Sequence, residues 1–200
     1  MLENFIKNRI INALPFSPNE GQGELLHLLT QFILSKKEQK AFVLRGYAGT
    51  GKTSIMAAVV KALGELKQPV VLLAPTGRAA KVLARYANKP AYTIHKYIYR
   101  QDKLGADSFS LSDNLHKHTL FIIDEASMID IMLMNSLLKA IKLGTRVIIV
   151  GDVDVDKTLD LIEENINKYT IISNVFGKST LNFFDNSCFI LNSPFENIVS

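Results

Sequence analysis

A parallel β-sheet with helices packed on it is the fold class predicted for this 200-residue chain. Three observations carry the prediction. Four apolar runs, Ala41–Leu44, Val70–Ala74, Leu120–Ile123 and Val147–Val150, have strand length and are continuous, as strands covered on both faces are. Helical patterns lie between these runs, and strand alternating with helix gives a parallel α/β arrangement. Between the first run and the helix after it, Gly46-Tyr47-Ala48-Gly49-Thr50-Gly51-Lys52-Thr53 fits the pattern G-x-x-x-x-G-K-[ST] without a gap.

Residues 1–14 predict a short amphipathic helix with Phe5, Ile6, Ile10 and Leu14 on one side, ended by Pro15. Ser17-Pro18-Asn19-Glu20 then reads as a helix start. Ser17 is the expected cap, Pro18 the first helical residue and Glu20 the partner in a capping box. That helix is expected to run to about Ser35 and to bury Leu25, Leu28, Leu29 and Phe32. Further helices are expected at Lys52–Leu63, ended by Gly64, and at Arg78–Ala87 after Pro75-Thr76-Gly77. The last spans Met128–Leu143, between Ser127 as cap and Gly144.

Composition narrows the class. Hydrophobic residues make up 48% and charged residues 21%, a globular balance that excludes a disordered chain. The single cysteine, Cys188, excludes a disulfide scaffold within the chain and a Cys-based zinc site. Met1-Leu2-Glu3-Asn4-Phe5 does not read as a signal peptide, and no apolar run approaches the ~20 residues of a membrane helix. The expected compartment is the cytoplasm, with no membrane partner.

The net charge of +4 is unevenly placed. Residues 1–150 hold 20 Lys/Arg against 11 Asp/Glu, whereas residues 151–200 hold 3 against 8. A basic first part suits a nucleotide or nucleic acid, and it equally suits an ordinary solvated surface. The first 150 residues contain 15 alanines; the last fifty contain no alanine and no arginine, but seven asparagines and five phenylalanines. A new small element, a lineage-specific tail and an altered reading frame all fit that shift. The expected division is therefore one unit over 1–155, with a helical lead-in over 1–35, and an atypical segment over 156–200.

The glycine-rich loop carries chemistry. Glycine lets the backbone wrap closely around phosphates, and exposed N–H groups at a helix N-terminus attract anionic oxygens. Lys52 is the expected point charge for the β- and γ-phosphates of ATP, and the Thr53 hydroxyl an expected ligand of Mg²⁺. The run Leu120–Ile123 ends in Asp124-Glu125. Acids at the C-terminal end of a parallel strand face the crevice where such sheets bind ligands. Asp124 is expected to hold the metal, and Glu125 to orient or deprotonate an attacking water. Alone, the pair also suits a strand-to-helix turn, because acids favour a helix N-terminus. His116 and His118 have no partner set and read as ordinary polar residues.

Taken in order, Gly46–Thr53, Ala74-Pro75-Thr76-Gly77-Arg78-Ala79-Ala80-Lys81, Thr93-Ile94-His95, Asp124-Glu125-Ala126-Ser127-Met128 and Gly151-Asp152 resemble the motifs of superfamily 1 DNA helicases, nearest the RecD-like branch that includes the Dda type. The resemblance covers about residues 15–154. It implies a RecA-like P-loop fold, the first of two motor domains, in a translocase that moves 5′ to 3′ on single-stranded DNA. It also assigns roles. Gln22 resembles the glutamine that reads adenine, and Asp152 joins the nucleotide site. Pro75, Thr76, Gly77 and Arg78 resemble a loop on the DNA backbone, and Thr93, His95 and Lys96 a second strand-contacting motif. Lys96-Tyr97-Ile98-Tyr99-Arg100 interleaves basic and aromatic residues, which suits base stacking beside a charged groove or a pair of core tyrosines.

The match fails in two places. The helicase pattern expects a glutamine where this chain has Val155, which cannot hydrogen-bond to a γ-phosphate through its side chain. The second motor domain, with the arginines that complete the ATP site, is not within these 200 residues. A truncated motor or one needing a partner chain is thus one expectation. A nucleotide-binding switch without productive turnover is another, and a P-loop ATPase acting on protein partners a third.

Overall fold

The computed structural model describes residues 2–35, 40–101, 109–111, 118–140, 145–152, 170–175, 181–184 and 188–191. Val155, His116 and Leu143-Gly144 lie outside them, as does most of the stretch over 156–200.

The four apolar runs are strands. They are β1 (Lys40–Arg45), β2 (Val70–Ala74), β6 (Leu120–Ile123) and β7 (Arg146–Gly151). A short edge strand, β3 (Ala91–Thr93), joins them in the order β3-β2-β6-β7-β1, all parallel. Three more strands continue the sheet from the compositionally distinct part of the chain: β8 (Thr170–Val175), β9 (Leu181–Phe184) and β10 (Cys188–Leu191). β8 pairs parallel with β1, β10 parallel with β8, and β9 antiparallel with β10 at the far edge. A separate hairpin pairs β4 (Tyr99–Gln101) with β5 (Phe109–Leu111).

Continuous apolar runs make sense because both faces of the sheet are covered. Phe42, Leu44, Leu72, Ile122, Ile148 and Val150 pack into one cluster with α1 (Leu2–Ala13), α2 (Glu20–Leu34), α3 (Lys52–Glu65) and α4 (Gly77–Ala87). Their neighbours in sequence, Ala41, Val43, Leu73, Phe121, Ile123, Val147 and Ile149, point the other way. They pack with α5 (Ile94–Ile98) and α6 (Ile131–Ala140). The period of two in each strand therefore splits an unbroken apolar run between two cores.

Two helix boundaries and one helix face depart from the sequence reading. α2 is capped by Asn19, not Ser17. The Asn19 side chain accepts the Gln22 N–H at 2.9 Å, and the Gln22 side chain accepts the Asn19 N–H at 3.0 Å. Asparagine caps as well as serine does, and Gln22 completes the box as a glutamate would, so the start slides two residues. α6 begins after Asp130, whose carboxylate accepts the Leu133 N–H at 2.8 Å, so Ser127 is not its cap. Ala126–Met128 instead form one 3₁₀ turn. In α1, Ile6 and Ile10 are buried, but Phe5 is exposed with the Arg9 guanidinium 5.1 Å from its ring centre.

Candidate nucleotide site

The loop from β1 into α3 bends through two glycines with positive φ, Gly49 at 78° and Gly51 at 89°. A side chain at either position would strain the backbone. Gly51 stands at the cap position of α3 with no side-chain hydrogen bond to the helix. The first N–H groups of α3 therefore face the loop with no side-chain cap, and they are the donors a bound phosphate would satisfy. A Cβ on Gly51 would also come within 3.3 Å of the Phe16 ring. Residues just before α2 thus lie against the loop.

Strand order places the acids. β7 lies between β1 and β6, so the ends of these three strands bring the loop, Asp152 and Asp124-Glu125 around one opening. The result is a cavity of about 420 Å³ lined by residues 48–54, Asp124, Glu125, Gly151 and Asp152, together with Val82 and Tyr86 of α4. The structure brings the expected phosphate, metal and water-activating groups into one place. Val82 and Tyr86 were not anticipated. Both are exposed large side chains on a helix whose other face is buried, and that amphipathic pattern gives no hint that they border the phosphate loop.

Within the cavity, the Thr53 hydroxyl donates to Asp124 Oδ2 at 3.4 Å, and the Glu125 N–H donates to Asp124 Oδ1 at 3.0 Å. Burial pushes the Asp124 carboxyl above the usual carboxylate range, and the nearby Glu125 charge adds to that. The Glu125 N–H, the Thr53 hydroxyl and the Lys52 ammonium pull it back down. A buried carboxylate beside a hydroxyl is a hard-oxygen donor set that fits Mg²⁺. Glu125 is exposed and sits in the left-handed region, at φ 56° and ψ 40°. That conformation costs a non-glycine residue about 1–2 kcal/mol, and it turns the chain sharply from β6 into the 3₁₀ turn. Lys52 donates to the carbonyls of Gly46 and Tyr47, the latter at 3.0 Å, and to Asp152 Oδ1 at 2.9 Å.

Gln22 is nearly buried, with its Nε2 3.4 Å from the Thr50 carbonyl. Its amide both caps α2 and ties that helix to the phosphate loop.

The two motifs expected on DNA come side by side. Ala74 pairs with Thr93 across β2 and β3, so the chain after each strand leaves the same end of the sheet. Thr76 caps α4 by accepting the Ala79 N–H at 3.2 Å, and Thr93 caps α5 by accepting the Lys96 N–H at 3.3 Å. Each hydroxyl can still donate its own proton. Gly77, Arg78, His95 and Lys96 are exposed, while Pro75 is half-buried. Tyr97 and Tyr99 are half-buried and packed against the second core. Tyr97 meets Phe121 edge-on at 5.8 Å, and the Tyr99 hydroxyl donates to Ser136 Oγ at 3.0 Å. Burial raises the Tyr97 phenol above its ordinary pKa, with Tyr92 adding to the effect. His118 is exposed, and its carbonyl accepts the Gln68 amide at 2.9 Å. Among the described residues, no group of three or more His, Cys, Asp or Glu side chains could hold a metal ion. No helix among them is long and apolar enough to cross a membrane.

A parallel α/β sheet, a glycine-rich phosphate loop and acids two strands away define a RecA-like P-loop domain. Residues 19–157 match the family model described as AAA domain, and the chain belongs to that family. Its relatives place the segment in the RecD-like group of superfamily 1 helicases. It is 38% identical over 118 residues to the ATP-dependent RecD2 DNA helicase of Deinococcus radiodurans, covering 56% of this chain and 15% of that one. It is 35% identical over 130 residues to the RecBCD enzyme subunit RecD of Buchnera aphidicola, covering 54% and 21%. It is 32% identical over 140 residues to the ATP-dependent DNA helicase dda of Enterobacteria phage T4, covering 66% and 31%. The chain thus spans less than a third of the length of these curated relatives.

Proposed function

We propose that this chain binds and hydrolyses ATP with Mg²⁺ as the first motor domain of a DNA helicase that moves 5′ to 3′ on single-stranded DNA. The observation that carries the reading is the convergence of the α3 N-terminus, the Thr53–Asp124 pair and Glu125 on one cavity. Lys52 and the loop N–H groups would hold the phosphates. Thr53 and Asp124 would hold Mg²⁺, which when bound offsets phosphate charge. Glu125 is exposed and aimed by its turn, as suits a residue that orients water and accepts its proton. Gln22 is a candidate for the adenine edge only if its amide exchanges one of its present partners for the base.

The DNA reading is supported by the neighbouring loops after β2 and β3, where Arg78, His95 and Lys96 offer charge and hydrogen bonds to a phosphate backbone. The second motor domain would come from sequence outside these residues or from a partner chain. An arginine reaching across from such a domain contributes on the order of 10³–10⁵ in rate, and residues 151–200 contain none. Turnover by this chain alone is accordingly slow. Val155, in place of the expected glutamine, favours the second reading, a nucleotide switch.

The deciding experiment measures ATP hydrolysis with and without single-stranded DNA, with Glu125→Gln as control. Stimulation by DNA, lost in Glu125→Gln while ATP binding persists, is the expected result. ATP binding with no turnover under either condition supports the switch instead.

A further inference from the structure

The ammonium of Lys52 has three N–H donors, and all three have acceptors: the Gly46 and Tyr47 carbonyls and the Asp152 carboxylate. A phosphate oxygen can reach Lys52 only by replacing one of them. The two carbonyls belong to the loop itself and move only if its backbone moves. Asp152 is different. It follows directly on β7, its side chain is half exposed, and Lys52 is the one hydrogen-bonding partner recorded for its carboxylate among the described residues. It also carries the same sign of charge as the incoming phosphates, in the same cavity. Asp152 is therefore the acceptor that must give way.

We propose that Asp152 is a built-in competitor of nucleotide phosphate for the Lys52 ammonium, a positioning residue that holds the lysine in the loop and lowers nucleotide affinity until phosphate displaces it. The proposal rests on the nucleotide-site reading and adds a sign to it. Asp152 borders the phosphates but opposes their binding. Its carboxylate swings toward solvent as phosphate arrives, so the side chain just after β7 takes up a different position in each nucleotide state. A competitor of this kind shortens the time that product stays bound, which suits a motor that cycles.

The test is calorimetric titration of the whole chain with ATP and Mg²⁺, comparing the unmodified protein with Asp152→Asn, Asp152→Ser and Asp152→Glu. Neutralising the carboxylate is expected to tighten binding about two- to fivefold, in both the Asn and Ser variants. Asp152→Glu restores the charge and is expected to return affinity toward that of the unmodified chain. Loss of a merely structural contact would weaken binding, so a gain separates the two roles. Unchanged or weaker affinity in Asn and Ser variants that melt like the unmodified chain overturns the proposal. No binding of ATP by any form overturns the nucleotide-site reading itself.

Discussion

Asp124 is asked to be both buried and charged. Burial, with Glu125 alongside, favours its neutral form, whereas metal binding needs the carboxylate. The folded-state pKa is raised, so the stability that Asp124 contributes is fully present below its unfolded pKa. It is lost as pH rises through the folded value. Above that folded value the protein bears this cost in full. Asp124→Asn keeps the shape and an acceptor for the Glu125 N–H without the charge. It is expected to melt a few degrees higher than the unmodified chain at neutral pH, with the gap closing toward acid, and to lose the Mg²⁺-dependent part of ATP binding. Thermal melts across pH, paired with titrations with and without Mg²⁺, check both halves. A lower melting temperature at neutral pH would mean that the carboxylate's hydrogen bonds outweigh its desolvation. In the unmodified protein, Mg²⁺-supported binding is expected to fall on acidification at a higher pH than an ordinary aspartate would give.

The start of α2 shows what local chemistry does and does not specify. Asn19 and Gln22 form the capping box, while Ser17 lies outside the helix. Asn19→Ala is expected to cost about 1 kcal/mol and Ser17→Ala close to nothing, measured by urea denaturation. The reverse ranking would restore the earlier start. Ser17-Pro18-Asn19-Glu20 offers two overlapping caps of nearly equal propensity, and only the packing of Leu25, Leu26, Leu29 and Phe32 on the sheet selects between them. The central strands were legible because burial on both faces leaves a continuous apolar signature. The phosphate loop and the acids were legible because their chemistry tolerates few substitutes. The edge strand β3 and the β4–β5 hairpin were not, since three residues each are too short for a period to show. The inward packing of Tyr97 and Tyr99 depends on Phe121 and Ser136, which are distant in sequence, so spacing alone could not separate core from surface.

At the scale of the molecule, α1 is part of the main core. Ile6 and Ile10 pack with α3, and Arg9 pairs with Glu65 at its far end by a 2.6 Å contact. That exposed pair is worth at most about 1 kcal/mol, whereas Ile10 is fully buried. Ile10→Ala is expected to destabilise the protein by about 2–5 kcal/mol, read from denaturant midpoints. A loss below about 1 kcal/mol would show that α1 is not held on the rest. The same packing means that the helix carrying Lys52 and Thr53 is steadied from the chain's opening residues.

The position of β1 has a consequence for the newborn chain. Its two neighbours, β7 and β8, are encoded more than a hundred residues downstream. At a ribosome's pace of roughly 5–20 residues per second, β1 waits on the order of ten seconds for its first neighbour. During that interval Ala41–Leu44 is an apolar segment with both hydrogen-bonding edges open, a template for other chains. Helices α1 to α3 are complete much earlier and can cover only one of its faces. Shielding of this segment by a chaperone is then expected to raise how much protein a cell recovers.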